Sequence, residues 1–245
     1  MQFSVIIPAF CEAHKIAMDV EAASSFLSAR FDQSEIIIVD DGSNDGTSRN
    51  ADISVPDNVT LGTIRYQENR GKGYAVRTGI LASTGEYVMF ADAGVCVPYE
   101  QSLRGLKLLQ NDECDLAHGS RKLPESEIIR PHLKQRQLSS KLFPLFLRLW
   151  MHIPRRITDT QCGFKMYKGD VARELYGLSV IDGFMFDIEI ICMALKRGYR
   201  IREFPISWTA DPDTRLSLIH VPKQVLKETW RIKRSVRQCA RQTGE

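Results

Sequence analysis

The sequence predicts an α/β fold: a Rossmann-like, mostly parallel sheet flanked by helices and built as a single domain. Three observations carry this. Short β-branched runs alternate with helical spacing through the first half, the pattern of parallel strands joined by right-handed crossovers. The run EIIIVD (35–40) is apolar on both faces, as a strand covered by helices on both sides must be. Polar, glycine-containing loops follow the strands, at the edge where open α/β sheets bind ligands.

Each element has its own signal. FSVII (3–7) is a β-branched strand that Pro8 is expected to end. Residues 14–30 set Ile16, Val20, Ala23, Phe26 and Leu27 at helical spacing. EIIIVD is the second strand, and DDGSNDGT (40–47) is a loop of turn and helix-capping residues. TIRY (63–66) reads as a third strand, Gly73 to Ser83 as a helix and EYVMFAD (86–92) as a fourth strand. The second half is less regular. DLAHGSR (115–121) and CGFKMY (162–167) read as strands, 134–151 and 185–197 as helices, and 199–208 as extended chain. A last helix covers 222–241. The expected division is a folded domain over 1–218 and a basic C-terminal helix or tail over 219–245.

The chain has 245 residues, 43% hydrophobic and 26% charged, enough to bury a sizeable core. It has no uncharged apolar run of about 18 residues, so no transmembrane helix is expected. MQFSVIIPAF lacks a basic start and meets Pro8 early, unlike a signal peptide. Six cysteines without a C-x-x-C pair read as reduced thiols, in keeping with a cytoplasmic location and no zinc site. The net charge of +3 is unevenly placed. Residues 130–156 hold seven basic side chains and no acid, and 221–245 hold seven against two acids. An acidic body with one positive flank results. No RNA-binding aromatic motif or helix-turn-helix pattern is present, so nucleic acid is not an expected partner.

Four strand-end loops should share one edge: Pro8 to Glu12, Asp40 to Ser43, Asn69 to Gly73, and Asp92. In ENRGKGYAVRTG (68–79), Gly71 and Gly73 precede a helix, but Val76 stands where a dinucleotide fingerprint needs its third glycine. Lys72, between the two glycines, brings an ammonium to a helix N-terminus, where phosphate is favoured.

VIIPAFCEA (5–13), IIIVDDGSNDGT (36–47), ENRGKGYAVRTGILASTGEYVMFADAG (68–94), GSR (119–121) and DTQCGFKMY (159–167), in this order, resemble the family-2 glycosyltransferases. Within that family, NRGKG, GEYVMFADA and DTQCGFK are most similar to the dolichyl-phosphate β-glucosyltransferases, with the dolichyl-phosphate mannose synthases as near relatives. The resemblance covers roughly residues 3–218. It implies a GT-A fold and an inverting transfer of a hexose, glucose favoured, from a nucleotide-diphosphate sugar such as UDP-glucose to a polyprenyl phosphate of the dolichyl type. It also implies residue roles. Pro8, Phe10, Glu12, Asp40, Asp41, Ser43 and Lys72 would bind the nucleotide. Asp92 would face the ribose and diphosphate, hold Mg²⁺ or Mn²⁺, and count as catalytic. Asp187, in FDIE (186–189), would be a catalytic acid near the acceptor. Arg121 and Arg136 would meet the acceptor phosphate. The family's GSK after the late Trp is altered in WTADPDTRLSL (208–218) to Thr214-Arg215, where Arg215 keeps the charge and would reach the diphosphate. The absence of Q-x-x-R-W argues against a processive synthase.

The chemistry suits these residue types. A phosphate monoester, with a second pKa of about 6, is largely dianionic at neutral pH and attacks without a strong base. The departing nucleoside diphosphate is the difficult part and needs a metal or cations. The chain departs from the family pattern at Gly94, where D-x-D has its second acid, and at Cys96, where mannose synthases have Gln. The metal then rests on one carboxylate, which Mg²⁺ accepts when phosphates and waters complete its shell. Two segments bear on the membrane. SSKLFPLFLRLWMHIPRR (139–156) is an interfacial helix or an ordinary core helix. The face bearing Lys227, Arg231, Arg234 and Arg241, opposite Val225, Ile232 and Val236, is a membrane-binding or a solvated one. Three functions stay open: a peripheral membrane glycosyltransferase on an anionic surface, a non-catalytic sugar-nucleotide or lipid-phosphate binding protein with a degraded D-x-D, and a glycosyltransferase with a soluble acceptor.

Overall fold

A computed structural model describes residues 2–130, 150–210 and 221–241. Its strands are β1 (Gln2–Ala9), β2 (Gln33–Asp40), β3 (Val59–Arg65), β4 (Tyr87–Ala91), β5 (Leu116–Ser120), β6 (Glu127–Arg130), β7 (Phe164–Lys168), β8 (Ile201–Pro205) and β9 (Ser207–Thr209). Its helices are α1 (Ile16–Ser28), α2 (Thr47–Ala51), α3 (Lys72–Ala82), α4 (Ser102–Gln110), α5 (Gly169–Leu178), α6 (Phe186–Lys196) and α7 (Val221–Arg241).

The main sheet has seven strands in the order β3-β2-β1-β4-β7-β5-β8, and β6 pairs with β9 in a small second sheet. The pairs β1–β2, β1–β4, β2–β3 and β5–β8 are parallel, and β7 runs antiparallel to both β4 and β5. The parallel β1, β2 and β4 all end at one edge of the sheet, which gathers Phe10, Asp40, Asp41 and Asp92 there.

Three sequence expectations change. β1 continues through Pro8, which pairs with Val39. Pairing with β4 stops at Ile6, so by Pro8 the strand has a neighbour on one side only, where a residue without an N–H is tolerated. β3 begins at Val59, four residues early, because this edge strand is largely exposed and shows little apolar pattern. α2, α4 and α5 were not expected; α2 is only five residues long, and α4 and α5 carry a central or initial glycine. The helix expected over 134–151 lies outside the described residues except for its last two positions.

Side chains alternate across the strands and fill a core on each face. One contains Ile6, Val39, Phe90, Tyr167 and Ile188; the other contains Val5, Ile36, Met89, Phe164 and Phe204. Burying one such side chain is worth about 1.5–3 kcal/mol. α7 joins the first core through Ile232 and Cys239, and Ser235 Oγ donates to Glu189 at 2.7 Å.

Candidate active site

Asp92 directly follows β4. Its N–H donates to the Gly163 carbonyl at 2.9 Å, extending the antiparallel contact with β7. A Cβ at 163 would overlap the Asp92 carboxylate, so glycine is what lets that side chain keep its present position. Asp92 is 40% exposed and pairs with the Lys72 ammonium at 2.5 Å. Lys72 opens α3. Beneath it lies a second pair, Asp187 in the first turn of α6 and Lys165 in β7, both essentially buried. Lys165 also donates to the Thr160 carbonyl at 2.9 Å.

Four charges therefore alternate inward: Asp92, Lys72, Asp187, Lys165. Burial alone would lower the Lys72 pKa, but Asp92 and Asp187 outweigh it and hold the ammonium above its ordinary value. Burial raises the Asp187 carboxyl above the usual range despite the pull of Lys165 and Lys72. Asp187, only 4% exposed, sits beneath the groove between Lys165 and Lys72.

The turn after Asp92 is clamped from below. Gly94 and Val95 donate backbone N–H groups to Asp19 of α1 at 2.8 Å each. Both residues have positive φ, 99° and 45°. That region is costly for a β-branched residue such as Val95 and persists only where its surroundings enforce it. Burial pushes the Asp19 carboxyl up to about 6, against the two N–H donors and Lys15.

On the other side of Asp92, Arg121 grips Asp159 with two parallel bonds, Nε to Oδ2 at 2.7 Å and Nη2 to Oδ1 at 2.8 Å. Its guanidinium also lies over Trp208, 5.2 Å from the ring centroid. Burial would raise Asp159, but the Arg121 bonds hold its pKa down to about 2. Glu203 of β8 accepts the N–H groups of Thr158 and Asp159, each at 2.8 Å, and so fixes the loop. Cys162 is buried, which pushes its thiol up to about 12 and keeps it neutral. A narrow cleft beside Asp92 is lined by Val95, Cys96, Cys162 and Trp208.

The β1 and β2 loops are stitched together. Ser43 Oγ accepts the Cys11 N–H at 2.7 Å, and Thr47 Oγ1 accepts the Glu12 N–H at 2.8 Å. The Glu12 carboxylate pairs with Lys15 at 2.9 Å. Asp40 accepts from the Ser43 N–H at 2.9 Å and from Ser48 Oγ. Asp41 accepts from Asn69 Nδ2 at 2.9 Å, the Arg70 N–H at 2.8 Å and the Gly71 N–H at 2.9 Å. It thereby fixes the loop that presents Lys72. Phe10 is 38% exposed at the end of β1.

The structure thus brings Phe10, Asp40, Asp41, Ser43, Lys72 and Asp92 to one edge. It sets Asp187 below them and Arg121 beside them, in the grip of Asp159. Arg136 and Arg215 lie outside the described residues. Asp19, Asp159, Gly163 and Lys165 were not singled out from sequence. Asp19 had a signal: it lies on the apolar stripe of α1, three residues after Ile16. Lys165 had a weaker one, a lysine flanked by Phe164 and Met166 in a short strand.

Among the described residues, no three His, Cys, Asp or Glu side chains converge to hold a metal ion. Asp92 offers one partly exposed carboxylate, and the neighbouring thiols of Cys96 and Cys162 are soft donors unsuited to Mg²⁺. This donor set fits a divalent cation shared with a diphosphate and not a site built from protein alone.

Residues 4–176 match the family described as Glycosyl transferase family 2. The dolichyl-phosphate β-glucosyltransferase of Saccharomyces cerevisiae is 31% identical over 233 residues, spanning 88% of this chain and 69% of that protein. The Dictyostelium discoideum enzyme of the same name is 29% identical, spanning 94% of this chain and 73% of its own. Among solved structures, glucosyl-3-phosphoglycerate synthase from Mycobacterium tuberculosis in complex with Mn²⁺, uridine diphosphate and phosphoglyceric acid superposes with a TM-score of 0.65. It is 16% identical and covers 98% of this chain and 78% of that one.

Proposed function

The chain belongs to glycosyl transferase family 2 and has the GT-A fold, and from that premise we propose that it moves a glucosyl group from UDP-glucose to a polyprenyl phosphate at a membrane surface, with inversion. The carrying observation is the alternation of charge at the strand ends, with Lys72, Arg121 and Asp92 around one polar edge. Cations there suit two anionic substrates, a nucleotide diphosphate and a phosphate acceptor. The names of the similar enzymes support glucosyl transfer and a dolichyl-phosphate acceptor, and the uridine diphosphate bound by the structural neighbour supports a nucleotide donor.

Each residue has a physical task in this reading. The stitched loops at Phe10, Glu12, Asp40, Asp41 and Ser43 form the nucleotide platform. Lys72 faces the diphosphate and neutralises charge as it leaves. A divalent cation, when bound with the diphosphate through Asp92, supplies further stabilisation of the leaving group. Arg121, held flat by Asp159 and Trp208, orients the acceptor phosphate. Arg136 and Arg215 remain candidates for the acceptor phosphate and the diphosphate. No side-chain base is required, because the acceptor is dianionic.

No helix among the described residues is long and apolar enough to cross a membrane. The membrane reading rests on a surface instead. On α7, Lys227, Trp230, Arg231, Arg234 and Arg237 face outward. Trp230 is 65% exposed, with Phe184 at 51% and Trp150 at 47%. Lys233 lies over the Trp150 ring at 4.1 Å, and Arg231 donates to the Val180 carbonyl at 2.9 Å, so these parts adjoin. Aromatics among basic residues suit an anionic interface.

The purified chain, given UDP-glucose, Mn²⁺ or Mg²⁺ and a short-chain polyprenyl phosphate, is expected to form a glucosylated lipid, detected by mass spectrometry. No product from UDP-glucose or from other sugar nucleotides would overturn the reading. Product with a soluble phosphate acceptor only would replace the lipid acceptor.

A further inference from the structure

We propose that Lys72 acts as a built-in counter-cation that keeps divalent metal off Asp92 until a nucleotide diphosphate arrives. The inference rests on reading Asp92 as the diphosphate position and concerns the order in which charges assemble there.

Three observations point to it. First, Lys72 Nζ sits 2.5 Å from Asp92 Oδ1, within the space a metal bound to that oxygen would need. A cation approaching Asp92 alone meets a neutralised carboxylate and a like charge at close range. Second, no other acid compensates among the described residues: the D-x-D partner position is Gly94, whose N–H is spent on Asp19. Third, Lys72 has somewhere else to turn. Asp187 lies beneath it and attracts its charge from below, so the ammonium keeps an anionic neighbour after leaving Asp92.

A diphosphate changes this balance. Its oxygens attract Lys72, which releases the Asp92 carboxylate, and they supply the remaining ligands a hard cation needs. Metal and nucleotide then bind with strong positive coupling, and each raises the other's affinity by the same factor. In a site with two acids the metal could bind first. Here the single acid and the adjacent ammonium make binding conditional. The device does not depend on Lys72 titrating, only on where its charge sits.

The test follows Mn²⁺ binding by the electron paramagnetic resonance signal of the free ion, with and without UDP, in the wild-type chain, Lys72→Met and Lys72→Arg. The wild type is expected to bind Mn²⁺ at least tenfold more tightly with UDP than without. Lys72→Met should bind Mn²⁺ without UDP at least tenfold more tightly than wild type, and its coupling to UDP should shrink. Lys72→Arg keeps the charge and should resemble wild type, which separates charge from a general folding defect. Circular dichroism melts check that each variant is folded; if Lys72→Met does not fold, equal Mn²⁺ affinity of the wild type with and without UDP still overturns the proposal. So does Mn²⁺ affinity without UDP that is unchanged in Lys72→Met. If no protein binds Mn²⁺ even with UDP, the assignment of Asp92 to the diphosphate falls, and the proposal with it.

Discussion

Asp19 shows how much a single side chain can decide. It is fully buried in α1 and accepts the N–H groups of Gly94 and Val95, which hold a turn that Val95 would otherwise avoid. Its carboxyl titrates near 6 instead of 3.8, chiefly through burial, with Glu12 adding to the rise and Lys15 opposing it; Tyr99 lies close by. The folded state therefore holds this proton more tightly than the unfolded chain. The associated stability is complete below pH 3.8 and is lost as pH rises through about 6. A shift of about two units corresponds to roughly 3 kcal/mol. Urea unfolding of wild type and Asp19→Asn between pH 4 and 7.5 should show the variant gaining on wild type by about that amount as pH rises. Parallel profiles would mean that Asp19 titrates normally. Sequence patterning hid this residue because an acid in an amphipathic helix is read as solvent-facing, although its spacing from Ile16 put it on the buried stripe.

At the scale of elements, the site depends on an insertion that strand–helix alternation does not reveal. β1, β2 and β4 and the loops after them were legible, because buried parallel strands are apolar throughout and their ends carry the turn residues. β7 was legible as a strand but not as an antiparallel one, since direction and neighbours leave no mark on a five-residue apolar run. Its position matters: the pairing of Ala91 with Phe164 sets Gly163 against Asp92 and Lys165 against Asp187. The Lys165–Asp187 pair is likewise invisible in sequence, its members lying 22 residues apart on a strand and a helix. Gly163→Ala tests this placement. The added Cβ must displace the Asp92 carboxylate, while overpacking at one partly open position costs about 1–3 kcal/mol. The variant should stay folded by circular dichroism yet lose about 100-fold or more in turnover, close to the loss in Asp92→Ala. Near-wild-type turnover would show that Asp92 need not sit where β7 holds it.

Across the whole molecule, charge is segregated. The strand-end edge is balanced pair by pair, while α7 turns Lys227, Arg231, Arg234 and Arg237 outward beside Trp230. The loop joining the two regions is shared. Asp182 accepts the Tyr74 N–H at 3.1 Å and pairs with Arg77 of α3 at 2.5 Å, while Phe184, two residues on, is exposed near the helix face. A lipid surface docked on α7 and Phe184 would therefore lie next to the residues that present Lys72, which shortens the path of a membrane-held phosphate to the site. Each basic residue near an anionic surface contributes about 1 kcal/mol, and that contribution is screened by salt. Reversing Lys227, Arg231 and Arg234 to Glu should cut partitioning onto phosphatidylserine vesicles by roughly 100-fold or more at low salt. UDP affinity, measured by calorimetry, should be unchanged, because none of the three side chains belongs to the nucleotide platform. Turnover should fall with acceptor in vesicles and hold with a short acceptor dissolved in detergent. Flotation equal to wild type would assign the basic face to solvent; equal loss on both acceptors would mean the helix acts on the site itself and not through the membrane.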